Sequence, residues 1–223
     1  MTIRRIPFAE GEWYHCYNRS IEKRVAFADV QDYRRFLELL YLANDEAPLR
    51  RDDLRTRKFE EVLESPRSKP IVAIGAFCLM PNHYHLVLKE ISPGGITAFM
   101  RKIGTAYTLY FNTRHERTGN LFLRPFRSRH IADDRYFQHL IHYVHSNPAV
   151  LYESEWRTGH IVDPQFLEDR LKQYPYSSLS AYSNARAPMR AILDEEVFSL
   201  ARPIPVQEML KNALAYGADA DIP

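Results

Sequence analysis

Ile71 to Lys89 reads IVAIGAFCLMPNHYHLVLK, and the fold class turns on how this stretch is parsed. Ile71 to Met80 is a nearly unbroken apolar run rich in β-formers. It is too short to span a membrane and suits a central strand covered on both faces. Pro81 and Asn82 punctuate it, and His83 to Lys89 resumes as a second strand, so the stretch predicts a β-hairpin. His83 and His85 are separated by one residue on that second strand, and their side chains leave the same face. Two imidazoles so placed can converge on one metal ion, or they can be ordinary histidines on a wet sheet face.

Upstream, Trp13 to Arg19 (WYHCYNR) reads as a first strand, and Val30, Tyr33, Leu37, Leu40 and Tyr41 then repeat at helical spacing. Asp45 to Lys69 interleaves acids and bases with no wide apolar face, which predicts a solvated insertion, partly helical. Downstream, Ser92-Pro93-Gly94-Gly95 is a breaker cluster. It precedes an amphipathic helix with Ile96, Phe99, Met100, Ile103, Tyr107, Tyr110 and Phe111 on one stripe and Arg101, Lys102, Thr105, Thr108 and Asn112 opposite. A further strand is expected around Leu121 to Ile131. Asp133 or Asp134 then caps a helix that runs to Asn147, where Pro148 prevents continuation. The order strand, helix, strand, strand, helix, strand, helix predicts an α+β, ferredoxin-like βαββαβ antiparallel sheet with helices on one face, plus one extra C-terminal helix. Residues 1–150 form the expected main domain, and 151–223 a partly helical extension ending in a small helical tail around Val206 to Tyr216.

The chain has 223 residues, 45% of them hydrophobic, enough for one good-sized core. No apolar run approaches a membrane span and Met1 to Glu12 lacks a secretory pattern, so a soluble, cytoplasmic protein with no membrane partner is expected. Cys16 and Cys78 sit in apolar strand-like sequence and read as buried small hydrophobes rather than a disulfide. The formal net charge of +2 says little. Its distribution says more: Arg101, Lys102, Arg114, Arg117, Arg124, Arg127 and Arg129 are opposed between positions 101 and 129 by one acid, Glu116. With His130 they are the candidate contacts to a polyanion.

At about 100° per residue, Phe137, Leu140, Ile141 and Val144 form the apolar stripe of the helix ending at Asn147. Tyr143 and Asn147 lie together on one flank of it, with Tyr136 and His139 near; His145 falls on the other flank and His142 faces away. A phenol and an amide oxygen can therefore reach one point beside the sheet. Phenol is a weak nucleophile at its free pKa of ~10, and a nearby metal can stabilise phenolate and polarise a phosphodiester. Tyr107 and Tyr110 are rivals, but both fall on the apolar stripe of their own helix and belong to the core.

Phe77 to Leu88 (FCLMPNHYHLVL), Tyr107 to Asn112 (YTLYFN), Gly119 to Ser128 (GNLFLRPFRS), Tyr143 to Pro148 (YVHSNP) and Tyr174 to Tyr182 (YPYSSLSAY) together resemble the REP-associated tyrosine transposases of the HUH superfamily, which are IS200-like single-tyrosine enzymes. The resemblance covers roughly Trp13 to Tyr182. It implies that His83 and His85 bind a divalent metal, Mg²⁺ or Mn²⁺, that Tyr143 is the nucleophile, and that Asn147 is the third metal ligand. It also implies single-stranded or hairpin DNA as partner, with the protein a monomer or homodimer. Residues 45–69 and the chain from Arg186 onward match nothing in that pattern.

The leading reading is an enzyme that cuts and rejoins single-stranded DNA near hairpin-forming repeats through a 5′-phosphotyrosine, leaving a 3′-hydroxyl. The alternative is a non-catalytic DNA- or RNA-binding protein on the same fold, with Trp13 or Tyr14 stacking on bases. A zinc site built from His15, Cys16, Cys78 and His83 is the weakest option, since the spacings fit no compact zinc pattern.

Overall fold

The computed structural model describes residues 7–50 and 57–218. Strand β2 (Val72–Met80) is buried along its whole length, as its unbroken apolar run requires, and the two-residue turn Pro81-Asn82 reverses it into β3 (His83–Glu90). Strand β1 (Trp13–Arg19) pairs antiparallel with β3, and the short β4 (Arg127–His130) pairs antiparallel with β1. The resulting four-stranded order β2-β3-β1-β4 is the ferredoxin-like arrangement expected from the element order. At the β2 bulge between Ile74 and Ala76, a Cβ on Gly75 would lie 2.9 Å from the Trp13 ring, so only glycine lets that indole close over the strand.

Helix α1 (Val30–Leu42) and α3 (Gly95–Arg114) cover one face, where Phe36, Tyr84, Tyr107 and Phe122 pack ring against ring. Gly94, at φ 79°, offers α3 no capping side chain. The buried Glu90 caps it from the end of β3, accepting from Gly94 N (2.6 Å) and Ile96 N (2.7 Å). Between α1 and β2, the five-residue α2 (Phe59–Leu63) is the helix found among the described residues of the charged insertion. That segment is less solvated than its composition suggests. Val62 and Leu63 are buried, Asp45 is tied to Ser68, and Lys102 donates to the carbonyls of Asp45 and Ala47. Residues 51–56 of the insertion lie outside the described residues.

Helix α4 (Asp134–Ser146), the extra C-terminal helix, lies on the opposite face, with Phe137 5.0 Å from the Trp13 ring. Asp133 caps it by accepting from Tyr136 N at 2.8 Å. Asn147 keeps helical backbone angles at its end and opens a 3₁₀ turn, Asn147–Leu151, that contains Pro148.

The extension contributes α5 (Pro164–Gln173), α6 (Leu179–Ser183), α7 (Val197–Leu200) and α8 (Val206–Ala218). Before α6, Leu79 N donates to Tyr176 O (2.9 Å) and Ser178 N to Phe77 O (3.0 Å), which covers the outer edge of β2. Met209, Leu210 and Ala213 of α8 join the same buried cluster as the sheet, and Asn212 meets His142 at 3.3 Å. His142, expected to face away, and His145, expected on the other flank of the stripe, are therefore both buried, the latter 2.8 Å from Ser178 Oγ. The strand expected over Leu121 to Ile131 is confined to Arg127–His130, preceded by a loop with a cis Arg124–Pro125 bond and a single bridge from Ser20 to Phe122.

Candidate active site

Alternation along β3 sends Tyr84 into the aromatic core under α1 and α3 and turns His83 and His85 toward α4. Strand register supplies their neighbours. Arg19 lies opposite His83 and Tyr17 opposite His85, while Arg127 and Arg129 of β4 lie opposite Tyr17 and His15. These residues share one face, and α4 makes it a dry one: His15 and His85 are fully buried. Of the histidine pair, His85 is thus off the wet face the alternative assumed, while His83 is half-buried at its rim.

The ring of Tyr143 stands edge-on to His85 at 5.6 Å between centroids and to His15 at 6.1 Å. His83 and His85 are perpendicular, 5.1 Å apart. One helical turn after Tyr143, the buried Asn147 donates from Nδ2 to the Tyr143 carbonyl (2.8 Å), and its Oδ1 lies 3.4 Å from Arg157 Nη2. The structure therefore brings His83, His85, Tyr143 and Asn147 into one neighbourhood within a single chain.

Hydrogen bonds orient these rings. Asn82 donates to Lys23 O (3.2 Å), so its Oδ1 faces His83 Nδ1 at 2.7 Å. An amide oxygen only accepts, hence Nδ1 carries the proton and Nε2 of His83 keeps its lone pair. His85 Nδ1 lies 2.9 Å from His15 Nε2; with Nδ1 as donor, His85 Nε2 likewise presents a lone pair. Both Nε2 atoms are buried with no hydrogen-bond partner among the described residues. Leaving such atoms unmatched costs about 1–3 kcal/mol each, the kind of cost a bound ligand removes.

Burial, helped by Arg19 and Arg157, brings His83 down to about 4. Burial first, then His83, His15 and Arg157, holds His85 well below its ordinary value. Burial and the charge of Arg129 push His15 to about 3. At neutral pH all three imidazoles are uncharged, the form that ligates cations. Among the described residues no group of three His, Cys, Asp or Glu is placed to hold a metal ion; the Asn147 amide oxygen lies on the same side of the sheet, one helical turn from Tyr143. Two open imidazole nitrogens and an amide oxygen fit a divalent cation that keeps positions for phosphate. Burial raises the Tyr143 pKa, against the lowering effect of the Arg157 charge and of hydrogen bonds with Arg157 and Asn147.

The rival tyrosines of α3 and the cysteines are accounted for elsewhere. Tyr107 donates to Ala26 O (2.7 Å) and Tyr110 to Asp32 Oδ1 (3.2 Å), both on the far side of the sheet. Cys16 pairs in register with Leu86 and Cys78 with His85, so the two thiols face opposite sides and the zinc set is split. Trp13 and Tyr14 are buried, Trp13 against Phe137 and Tyr14 accepting from Ala9 N, so neither is presented for stacking on bases.

The basic residues separate into groups. Arg127 and Arg129 lie on the histidine face, with Arg129 5.2 Å over the Tyr136 ring, and Arg124 is exposed in the preceding loop. His130 pairs with Glu12 (2.9 Å), Arg117 donates to Asn112 (3.0 Å), and Arg101 is exposed on α3. Lys102 is engaged with the 45–47 carbonyls. Arg114 binds Asp29 (2.7 Å) and the buried Asp32 (2.6 Å), so it clamps the start of α1 to α3.

Residues 38–147 match the family model described as Transposase IS200 like. This stretch is an IS200-like transposase domain. It contains His83, His85, Tyr143 and Asn147, whereas His15, Tyr17, Arg19 and Arg157, which complete the surroundings, come from outside it. A solved structure described as a REP-associated tyrosine transposase bound to a REP hairpin has a similar fold. The two share 16% sequence identity with a TM-score of 0.51, over 92% of this chain and 99% of that one. No curated protein matches the chain. Arg157 was missed by sequence reasoning: a lone arginine beyond the transposase domain carries no spacing signal, and only the chain's return past Trp156 brings it to Tyr143.

Proposed function

We propose that this protein is a divalent-metal-dependent single-stranded DNA endonuclease and strand transferase, acting near hairpin-forming repeats through a 5′-phosphotyrosine on Tyr143. The observation that carries the reading is Tyr143 set 5.6 Å, ring to ring, from a neutral, buried His85 whose Nε2 lacks a partner. The match to the IS200-like transposase model and the hairpin-bound structure of similar fold support single-stranded, hairpin-bearing DNA as the substrate class.

His83, His85 and Asn147 would hold Mg²⁺ or Mn²⁺. Bound there, the ion would supply Lewis-acid polarisation of a phosphate oxygen. Asn82 and His15 orient the two imidazoles through their Nδ1 atoms. The raised pKa keeps the Tyr143 phenol protonated at rest. In the reaction the phenol gives its proton to solvent while Oη bonds to phosphorus. The bond from phosphorus to the 3′ oxygen breaks, and that oxygen takes up a proton to leave as a hydroxyl. The phosphodiester energy is conserved in the tyrosyl ester, so a 3′-hydroxyl can attack it and rejoin a strand. Arg127, Arg129 and Arg124 at the sheet edge, with Arg101 and His130, would guide the DNA backbone. The approach of Tyr143 to His85 of its own chain supports a step carried out within one protomer.

The test is incubation of the purified protein with a pool of hairpin-bearing single-stranded oligonucleotides in Mn²⁺, followed by denaturing electrophoresis. A shifted band that vanishes with EDTA and in Tyr143→Phe is expected. Salt-dependent binding to the pool with no band under any metal would favour the binding-only alternative.

A further inference from the structure

We propose that Arg19 and Arg157 together hold the non-bridging oxygens of the phosphodiester that Tyr143 attacks, an inference resting on the tyrosine-nucleophile reading above. Arg19 is the cross-strand partner of His83, so its side chain leaves the sheet on the histidine face. Its Nε is buried with no hydrogen-bond partner among the described residues. Arg157 approaches from the other side, with its guanidinium 5.9 Å over the Tyr143 ring and Nη2 3.4 Å from Asn147 Oδ1, too long for a strong bond. Its position is set by the neighbouring Trp156, which is 2% exposed and anchors the 3₁₀ turn Trp156–Thr158.

Several half-buried arginines meet a carboxylate: Arg34 and Arg35 meet Glu38, Arg114 meets Asp29 and Asp32, and Arg190 meets Glu195. The half-buried Arg19 and the exposed Arg157 form no such ion pair among the described residues. With no carboxylate to neutralise them among the described residues, the guanidiniums beside His83 and over the Tyr143 ring are free to pair with an arriving anion. Planar guanidinium donors match phosphate oxygens, and their attraction grows as charge builds on the five-coordinate phosphorus. A cavity of about 400 Å³ lined by Tyr17, Arg19, Lys23, Leu123, Pro125 and Arg127 opens beside Arg19 and gives the adjoining nucleoside a place.

Two measurements on the full chain test this. In the first, inorganic phosphate is titrated in EDTA while the side-chain Nε–H signals of ¹⁵N-arginine-labelled protein are followed by NMR. Saturable shifts of Arg19 and Arg157, each abolished by Arg→Gln at the other position, are expected. Shifts no larger than those of the exposed Arg101 and Arg124 would overturn the proposal. In the second, adduct formation is timed on an oligonucleotide that the wild type cross-links. Arg157→Gln and Arg19→Gln should each slow it about 100-fold and Arg157→Lys about 10-fold, with Mn²⁺ affinity by EPR changed less than twofold. Rates within twofold of wild type would also overturn it. If phosphate binds as described but no oligonucleotide is ever cross-linked, the anion site stands and the tyrosine chemistry falls.

Discussion

Tyr107 and Tyr143 are both buried helix tyrosines packed against the same sheet, one on each face, yet their surroundings differ in kind. Tyr107 sits among Phe27, Phe36 and Phe122 and donates to the Ala26 carbonyl, so every polar demand it makes is met by its own core. Tyr143 faces His85 and His15 with a guanidinium over its ring, and the imidazoles beside it carry nitrogens with no partner. Burial raises both phenols, but only on the α4 face do a cation and hydrogen bonds pull the other way. One face is finished as structure, and the other is left open for something charged.

The largest effect expected from breaking this contrast is on chemistry. Tyr143→Phe should drop the covalent DNA adduct below detection on denaturing gels, while Tyr107→Phe leaves it in place. Next, Phe36→Ala on the finished face should cost about 3–5 kcal/mol in urea unfolding, because it empties a fully buried site ringed by Phe27, Tyr84 and Tyr107.

On the open face, His15→Ala should weaken Mn²⁺ binding about 10- to 100-fold by EPR titration, since it removes the group that orients His85. Acid should act through the buried neutral histidines. His142 and His145 are pushed by burial to about 4 and about 3, so the unfolded chain binds their protons first. Stability is therefore full above the ordinary value of 6.5 and is lost as pH falls toward those depressed values. The slope approaches about 1.4 kcal/mol per pH unit for each group, and urea midpoints at pH 7 and pH 5 should show it. Smallest is the cost of Tyr107→Phe itself, about 1 kcal/mol of thermal stability from the orphaned Ala26 carbonyl.

Much of this contrast is legible in the sequence, and what is not has physical reasons. The hairpin from Val72 to Glu90 follows from an apolar run, a turn dipeptide and strand alternation, all local signals. The pairing of Tyr143 with Asn147 follows from helical spacing alone. Which face α4 covers does not, because an amphipathic stripe names no partner; contact with Trp13 and His85 decides it. The burial of His142 and His145 was illegible for a related reason: the sequence makes them polar, and the cover that buries them, α8 and Ser178, arrives from 33 to 70 residues away. Lys102 and Arg114 read as part of one basic cluster, yet long-range partners in the 45–47 segment and at Asp29 and Asp32 engage both.

The most direct measurement is mass spectrometry of the protease-digested adduct formed with hairpin-bearing single-stranded DNA in Mn²⁺. A nucleotide mass esterified through its 5′ phosphate to Tyr143 is the predicted result. The same mass on Tyr17, Tyr107 or any other tyrosine, with the peptide carrying Tyr143 unmodified, would contradict the account.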